Sequence, residues 1–193
     1  MSLVLHSTDE ESLLLTAREA IVSRLQARHP SWPAYGPVAE EHYGAFVTLH
    51  KTSPGGQRLL RGCIGRMSSA LPLRTTIRDM ALAAAFEDPR FHSLNKDELA
   101  GIDIEISVLS PFEPCSPEDV IPGEHGVYLT RGYHSGVFLP QVAPEQGWDR
   151  HELLEQLCVK AGLEGGAYMA AGASLFRFTA TVFGELDRPA SHR

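Results

Sequence analysis

The sequence predicts an α+β fold with a largely antiparallel sheet flanked by helices. Three observations predict this class. Apolar stretches with strand periodicity outnumber those with helical periodicity, turn-prone residues join neighbouring strands as hairpins, and no regular strand–helix alternation indicates a doubly wound parallel sheet. At 193 residues with 43% apolar residues, the chain can bury a full core. We therefore expect a single domain over residues 1–187, followed by a polar, frayed tail at 188–193.

Helix boundaries follow from local signals. Ser7 and Glu10 have capping-box spacing, Pro72 suits a helix start, and Asp149 suits an N-cap position. The predicted elements are a helix at 7–28, strands at 44–50 and 59–65, a helix from 72 to before 89, a short helix or turn at 95–100, a strand at 102–109, a hairpin of 127–130 and 136–139, a helix from 149 to 161, and a strand at 175–183.

Composition excludes several classes of function. The net charge is −7 and the pI about 5.7, and the basic residues form no stripe, which argues against nucleic-acid binding. No stretch reaches the roughly 20 apolar residues of a membrane span, and the start has no signal-peptide pattern. Cys63, Cys115 and Cys158 are odd in number and far apart, so they predict neither a disulfide framework nor a cysteine-rich zinc site. We expect a soluble, cytoplasmic protein.

Common cofactor motifs are missing from the sequence. It contains no glycine-rich dinucleotide or phosphate loop, no His-Glu-x-x-His and no Gly-x-Ser-x-Gly. The nine histidines show no ligand spacing. We therefore assign neither a cofactor nor a metal.

The central strand, 59–65, reads Leu-Leu-Arg-Gly-Cys-Ile-Gly. Regular alternation puts Leu60, Gly62 and Ile64 on one face and Leu59, Arg61, Cys63 and Gly65 on the other. A guanidinium beside a thiol favours the nucleophilic thiolate, and Gly62 and Gly65 leave room for another backbone or a ligand. The alternative is a small buried cysteine beside a structural, ion-pairing arginine.

The strand at 102–109 carries acidic residues on one face. Asp103, Glu105, Ser107 and Leu109 share that face, opposite a continuous apolar one. If this strand neighbours the central one, Glu105 can meet Arg61 across the sheet. The alternative is an ordinary solvent-facing side of the sheet.

Three further residues have two readings each. Arg90, in Asp-Pro-Arg-Phe, either belongs to a helix-ending turn or points towards Cys63. His125 either ends a loop or places an imidazole near the thiol. Gln141 either contacts a ligand just past a strand end or binds loop backbone.

The hexapeptide Leu-Arg-Gly-Cys-Ile-Gly at 60–65 resembles the signature of the AMMECR family, whose prokaryotic members are labelled AmmeMemoRadiSam system protein A. The resemblance continues in order over nearly the whole chain, at 88–91, 102–109, 125–126, 139–143, 145–149 and 160–162. It implies an α+β fold with a larger sheet subdomain and a smaller intertwined one. It also implies a Memo-type protein and a radical S-adenosylmethionine enzyme as partners. The chain lacks a three-cysteine cluster motif, so any radical chemistry would belong to the partner.

These observations support two hypotheses about function. The first is an enzyme or substrate-handling component, acting on an unidentified small molecule or protein group. In it, Cys63 is nucleophile or covalent carrier, Arg61 stabilises its anion, and Glu105 is acid/base or orients Arg61. The residues expected to line its pocket are Gly62, Gly65, Arg90, Ser107, His125 and Gln141. The second is a non-catalytic, partner-binding or regulatory module in which residues 61–65 are structural.

Overall fold

A computed structural model describes residues 3–53 and 55–187. The predicted tail at 188–193 lies outside the described residues. The chain forms two compact units, one made of Met1–Leu109 with Thr181–Arg193 and the other of Ser110–Ala180. The architecture is α+β, as the sequence predicts, whereas the assignment of 1–187 to a single domain stays a prediction.

The helices and strands follow one another along the chain, with short 3-10 turns between some of them. In order they are α1 (Ser7–Gln26), β1 (Ala45–Thr52), β2 (Arg58–Arg66), α2 (Leu73–Phe86), β3 (Ile102–Leu109), β4 (Glu113–Pro114), β5 (Gly126–Arg131), β6 (His134–Phe138), α3 (Val142–Gln146), α4 (Arg150–Lys160), β7 (Ala173–Phe178) and β8 (Ala180–Gly184). The first unit holds a sheet of order β2-β1-β3-β8, and the second a sheet of order β4-β7-β5-β6.

In the first unit, α1 and α2 pack on one face of the sheet. Val47 and Leu49 of β1 and Ile104 and Ile106 of β3 form this face, and all four side chains are fully buried. Alternation along each strand then puts the intervening residues, which include polar and charged ones, on the opposite face. The sheet therefore has an apolar helical side and a polar side.

A β-bulge interrupts the pairing of β1 with β2. Leu49 is opposite Gly62, but His50 is opposite Leu60, so Arg61 is an extra residue in β2. The bulge changes the phase of the strand. Leu60 therefore shares the face of Cys63, which corrects the regular alternation expected from the sequence.

The second unit has its own apolar core. Helix α4 packs on β5 and β6, and its stripe includes Leu153 and Leu157, which are fully buried. Cys158 lies in the same core with no exposed surface. Asp149 is the N-cap of α4, as predicted, and accepts a hydrogen bond of 2.8 Å from the N–H of Glu152.

Two local predictions are wrong. The apolar run at 175–183 forms two strands rather than one, because the chain passes from β7 in one sheet to β8 in the other. The cap of α1 lies one residue earlier than predicted, since Asp9 accepts a hydrogen bond of 3.1 Å from the N–H of His6. Among the helices in the described part of the chain, none is long and apolar enough to cross a membrane.

Candidate functional site

The side of the first sheet opposite the helices carries a connected set of polar side chains. We call this set the polar face: Thr48, His50, Arg58, Cys63, Asp103 and Glu105. Strands β2, β1 and β3 contribute two residues each, and the pairing registers fix how the residues neighbour one another. A thiol, an imidazole, a hydroxyl, a guanidinium and two carboxylates thus lie together in one unit of the protein.

Cys63 lies at one end of a row that crosses three strands. Thr48 of β1 is the Cα partner of Cys63 on one side and of Glu105 on the other. The Thr48 hydroxyl donates a hydrogen bond to Sγ of Cys63 over 3.3 Å. The residue Cys63 is half-buried. Such a donor would stabilise negative charge on the sulfur.

Arg58 connects the two carboxylates of β3. Its Nε donates to Asp103 over 3.0 Å, and its Nη1 donates to Glu105 over 2.8 Å. Arg58 and Cys63 are five residues apart, so they would point to opposite sides of a regular strand. The bulge at Arg61 places both on the polar face.

His50 lies between Leu60 and Asp103 in the pairing of the three strands. Its Nδ1 is 3.8 Å from Oδ2 of Asp103, and this nitrogen is buried without a hydrogen-bond partner. Burial lowers the pKa of His50 below its ordinary value, and the positive charge of Arg58 lowers it further. The charges of Glu105 and Asp103 act in the opposite direction without cancelling that effect. The imidazole is therefore neutral at pH 7.

Arg61 has a different set of partners from the one expected. Its Nε and Nη2 donate to the two carboxylate oxygens of Glu98 over 2.8 and 3.0 Å, and Nη2 also donates to the carbonyl of His92. The expected pairing of Arg61 with Glu105 is wrong, because Arg58 binds Glu105 instead. Nη1 of Arg61 is buried with no partner. The arginine holds the segment after α2 against β2.

Asp88 and Arg90, which we call the edge pair, bind the backbone of Cys63. Strand β2 is at the edge of its sheet, so some of its backbone groups have no neighbouring strand. Asp88 accepts a hydrogen bond of 2.9 Å from the N–H of Cys63, and Arg90 donates to its carbonyl over 3.2 Å. The edge pair thus replaces a neighbouring strand at this one residue.

The two members of the edge pair also bind each other. Arg90 donates to Asp88 from Nε and Nη2 over 2.9 and 2.7 Å, and the carboxylate is almost fully buried. These bonds, with those from backbone N–H groups, hold the pKa of Asp88 well below its usual range despite burial. Arg90 thus lies in the turn that follows α2 and also points towards Cys63, so both interpretations offered by the sequence apply.

Packing within the protein accounts for both glycines of β2. A Cβ at Gly62 would lie 2.2 Å from the carbonyl oxygen of Ala84 in α2. A Cβ at Gly65 would lie 2.2 Å from the ring of Phe46. The space beside these glycines, where the sequence predicted a ligand or another backbone, is therefore filled by the backbone of α2 and the ring of Phe46. A role for these glycines in binding stays a prediction.

The remaining predicted site residues lie in three places. Ser107 is buried on β3, on the same side as Glu105 and opposite Phe46. His125 belongs to the second unit, where its Nδ1 accepts a hydrogen bond of 3.1 Å from the N–H of Ile121, as in a structural turn. Gln141 also belongs to that unit and precedes α3. Their binding roles stay predictions.

Sequence reasoning missed four members of the polar face: Thr48, His50, Arg58 and Asp103, the last of which was placed beside Glu105 but not assigned to a site. The signal for the first two was present, because the polar residues of β1 alternate with the buried Val47 and Leu49. Arg58 carried no such signal, since the bulge determines its face. Within the described residues, no group of three or more histidine, cysteine or acidic side chains is placed to hold a metal ion.

The fold and the polar face define a two-sheet α+β protein with a cysteine on a charged sheet surface. Comparison with known proteins gives the family. The AMMECR1 family model matches residues 14–183. A protein from Thermococcus gammatolerans is 37% identical over 183 residues, which cover 91% of this chain and 89% of that protein. One from Methanocaldococcus jannaschii is 36% identical over 178 residues, covering 89% and 87%.

A solved structure agrees with these matches. The crystal structure of an uncharacterized protein from Pyrococcus horikoshii superimposes with a TM-score of 0.79 at 34% identity, and the match covers 92% of each chain. The chain belongs to the AMMECR1 family.

Proposed function

We propose that this AMMECR1-family protein is a cytosolic enzyme or substrate-handling component whose reactive group is the thiol of Cys63. One observation carries the proposal. The half-buried Cys63 accepts a hydrogen bond from Thr48, and the neighbouring positions on the same side of the sheet carry a charged network. Buried charged and polar groups are costly unless they are paired, so their concentration around one cysteine indicates a site. The substrate is a small molecule or protein group with an electrophilic atom.

The partners in this proposal come from family resemblance. They are a Memo-type protein and a radical S-adenosylmethionine enzyme. Arg61 enters the proposal as a positioning residue rather than as the stabiliser of the thiolate, because its guanidinium binds Glu98. Glu105 holds Arg58 on the polar face and thereby acts on the site.

The first experiment measures iodoacetamide labelling of each cysteine in the native protein, resolved by mass spectrometry. Cys63 should label fastest. Cys115 should label more slowly, because burial raises the pKa of its thiol, and Cys158 should label only on unfolding, because it is fully buried. If Cys63 labels only when the protein unfolds, it is not the nucleophile.

The alternative function is a non-catalytic module that binds a partner. The contacts of Arg61, the edge pair and the two glycines favour it, since all of them hold β2 in place. The variant Cys63→Ser separates the two functions. A thiol site predicts a folded variant with an unchanged Tm and no reaction with electrophiles, whereas a structural cysteine predicts a lower Tm.

A further inference from the structure

The polar face brings a thiol, an imidazole and a carboxylate onto three adjacent strands. Cys63 lies on β2, His50 on β1 and Asp103 on β3, in the spatial order of the strands. His50 is two residues from Thr48, the partner of Cys63, and is itself the partner of Asp103. A nucleophile, a base and a group that orients the base are the parts of a catalytic triad.

The spacing suits this arrangement. Cys63 and His50 are diagonal neighbours across β1 and β2, a relation in which Cα atoms are roughly 7–8 Å apart and long or aromatic side chains can meet. Nδ1 of His50 faces Asp103 at 3.8 Å, which leaves Nε2 for the thiol. This separation is longer than a hydrogen bond, and catalytic hydrogen bonds that are long in a free protein often shorten when substrate binds.

The electrostatic surroundings keep His50 unprotonated in the free protein. The charged groups that face it are Arg58 from β2 and Asp103 and Glu105 from β3. Burial and Arg58 disfavour the imidazolium, so the free protein holds a neutral base. The two carboxylates favour the imidazolium and would stabilise it once it forms. A general base must be unprotonated before it can take a proton.

Building on the thiol site proposed above, we infer that His50, oriented by Asp103, takes the proton of Cys63 when the thiol reacts with a carbon electrophile. The S–H bond breaks, and its proton passes to Nε2 of His50. The electron pair left on sulfur forms the bond to the substrate carbon. The bond between that carbon and the leaving group breaks, and its electron pair goes to the leaving group. A basic leaving group then takes the proton back from the imidazolium. Thr48 donates to the sulfur throughout.

The test compares His50→Gln with wild type in iodoacetamide alkylation of Cys63 over a range of pH. In this probe reaction the S–C bond forms and iodide leaves. We expect Cys63 of His50→Gln to react about tenfold more slowly at pH 7 than Cys63 of wild type. This is a displacement of the pH–rate profile by about one pH unit. Its rate should rise only in the alkaline range. His42→Gln is the matched control, since His42 is an exposed histidine before β1 in the same unit.

The outcomes separate the two proposals. If wild type reacts quickly and His50→Gln gives the same pH profile, the role of His50 is wrong while the thiol site stands. If wild-type Cys63 does not react until unfolding, both are wrong. If His50→Gln does not fold, NMR titration of His50 in wild type replaces it. Alkylation of Cys63 should then shift the His50 pKa, and an unchanged titration would overturn the inference.

Discussion

Arg58 and Arg61 lie on the same strand but differ in burial and in their hydrogen-bond partners. Arg61, at the bulge, is nine-tenths buried and binds a single carboxylate, that of Glu98. Arg58, three residues before it, is one-third exposed and connects two carboxylates on the polar face. The difference teaches that an arginine next to a cysteine in sequence can belong to the scaffold, while a more distant one belongs to the site.

The largest expected effect comes from removing the partner of Arg61. Glu98→Gln removes the carboxylate that balances the charge of the buried Arg61 guanidinium. One nitrogen of this guanidinium already has no partner in wild type. Breaking such a pair should lower the free energy of unfolding by about 3 kcal/mol, measured by urea denaturation. Glu40→Gln, which breaks the exposed pair with Arg74, is the control and should leave the free energy of unfolding almost unchanged. Equal losses in the two variants would mean that Arg61 is not held by Glu98.

The edge pair should show the second largest effect. Asp88→Asn removes a buried carboxylate that accepts hydrogen bonds from Cys63 and Arg90, and we expect a loss of about 2 kcal/mol in unfolding free energy. Asp79→Asn, at the more exposed pair with Arg78, is the matched control. If the urea midpoint of Asp88→Asn equals that of wild type, the hydrogen bonds of the edge pair do not stabilise β2.

The same carboxylate predicts a pH dependence. The pKa of Asp88 is depressed in the folded protein, so its contribution to stability is present above the unfolded value of about 3.9 and is lost as the pH falls from there towards the folded pKa. Wild type should therefore lose more stability than Asp88→Asn between pH 5 and strongly acidic conditions, by roughly the difference seen at neutral pH. Parallel curves for the two proteins would contradict this assignment.

Arg58 should behave in the opposite way from Arg61. Arg58→Gln should change the unfolding free energy by only ~1 kcal/mol or less, because the side chain is partly solvated. It should nevertheless raise the pKa of His50, measured by NMR titration, since the Arg58 charge lowers it and the freed carboxylates of Asp103 and Glu105 favour the imidazolium. If Arg58→Gln loses much stability and leaves the His50 pKa unchanged, then Arg58 belongs to the scaffold, as Arg61 does.

The smallest effect is expected at Thr48. Thr48→Val keeps the shape of the side chain and removes the hydrogen bond to Cys63. Sulfur is a weak acceptor, so stability should change by less than ~1 kcal/mol. Iodoacetamide labelling of Cys63 should slow a few-fold, because the forming thiolate loses a donor. Faster labelling in Thr48→Val would mean that the hydroxyl restricts the thiol rather than activates it.

Alternation and turn signals sufficed for most of the fold. They placed β3 at 102–109 and the helix at 73–86 almost at their observed bounds, because buried faces impose period two or 3.6 on the sequence. They failed at 175–183, where β7 and β8 are separated only by Thr179. No turn-forming residue marks that change of sheet.

The candidate site was only half visible in the sequence. Cys63 was found because it follows Arg61 on one strand, and Glu105 because it lies between two apolar residues, opposite a continuous apolar face. Arg58 was missed because its place on the polar face depends on register, and register depends on a bulge with no composition of its own. His50 was missed although it alternates with the buried Val47 and Leu49 along β1. The pairing of Arg61 with Glu98 joins residues 37 positions apart, a distance at which sequence patterns carry no information.

The extra residue in β2 also affects how this hairpin tolerates changes in chain length. Deleting Arg61 would restore an uninterrupted ladder with residues 58–60 opposite their present partners, so Arg58 would stay on the polar face beside Asp103 and Glu105. Strand, turn and charged surface would survive such a deletion, while the contact of β2 with Glu98 would be lost. In an alignment of relatives, a one-residue gap between Arg58 and Cys63 would therefore indicate the same surface chemistry without the anchor that Arg61 provides.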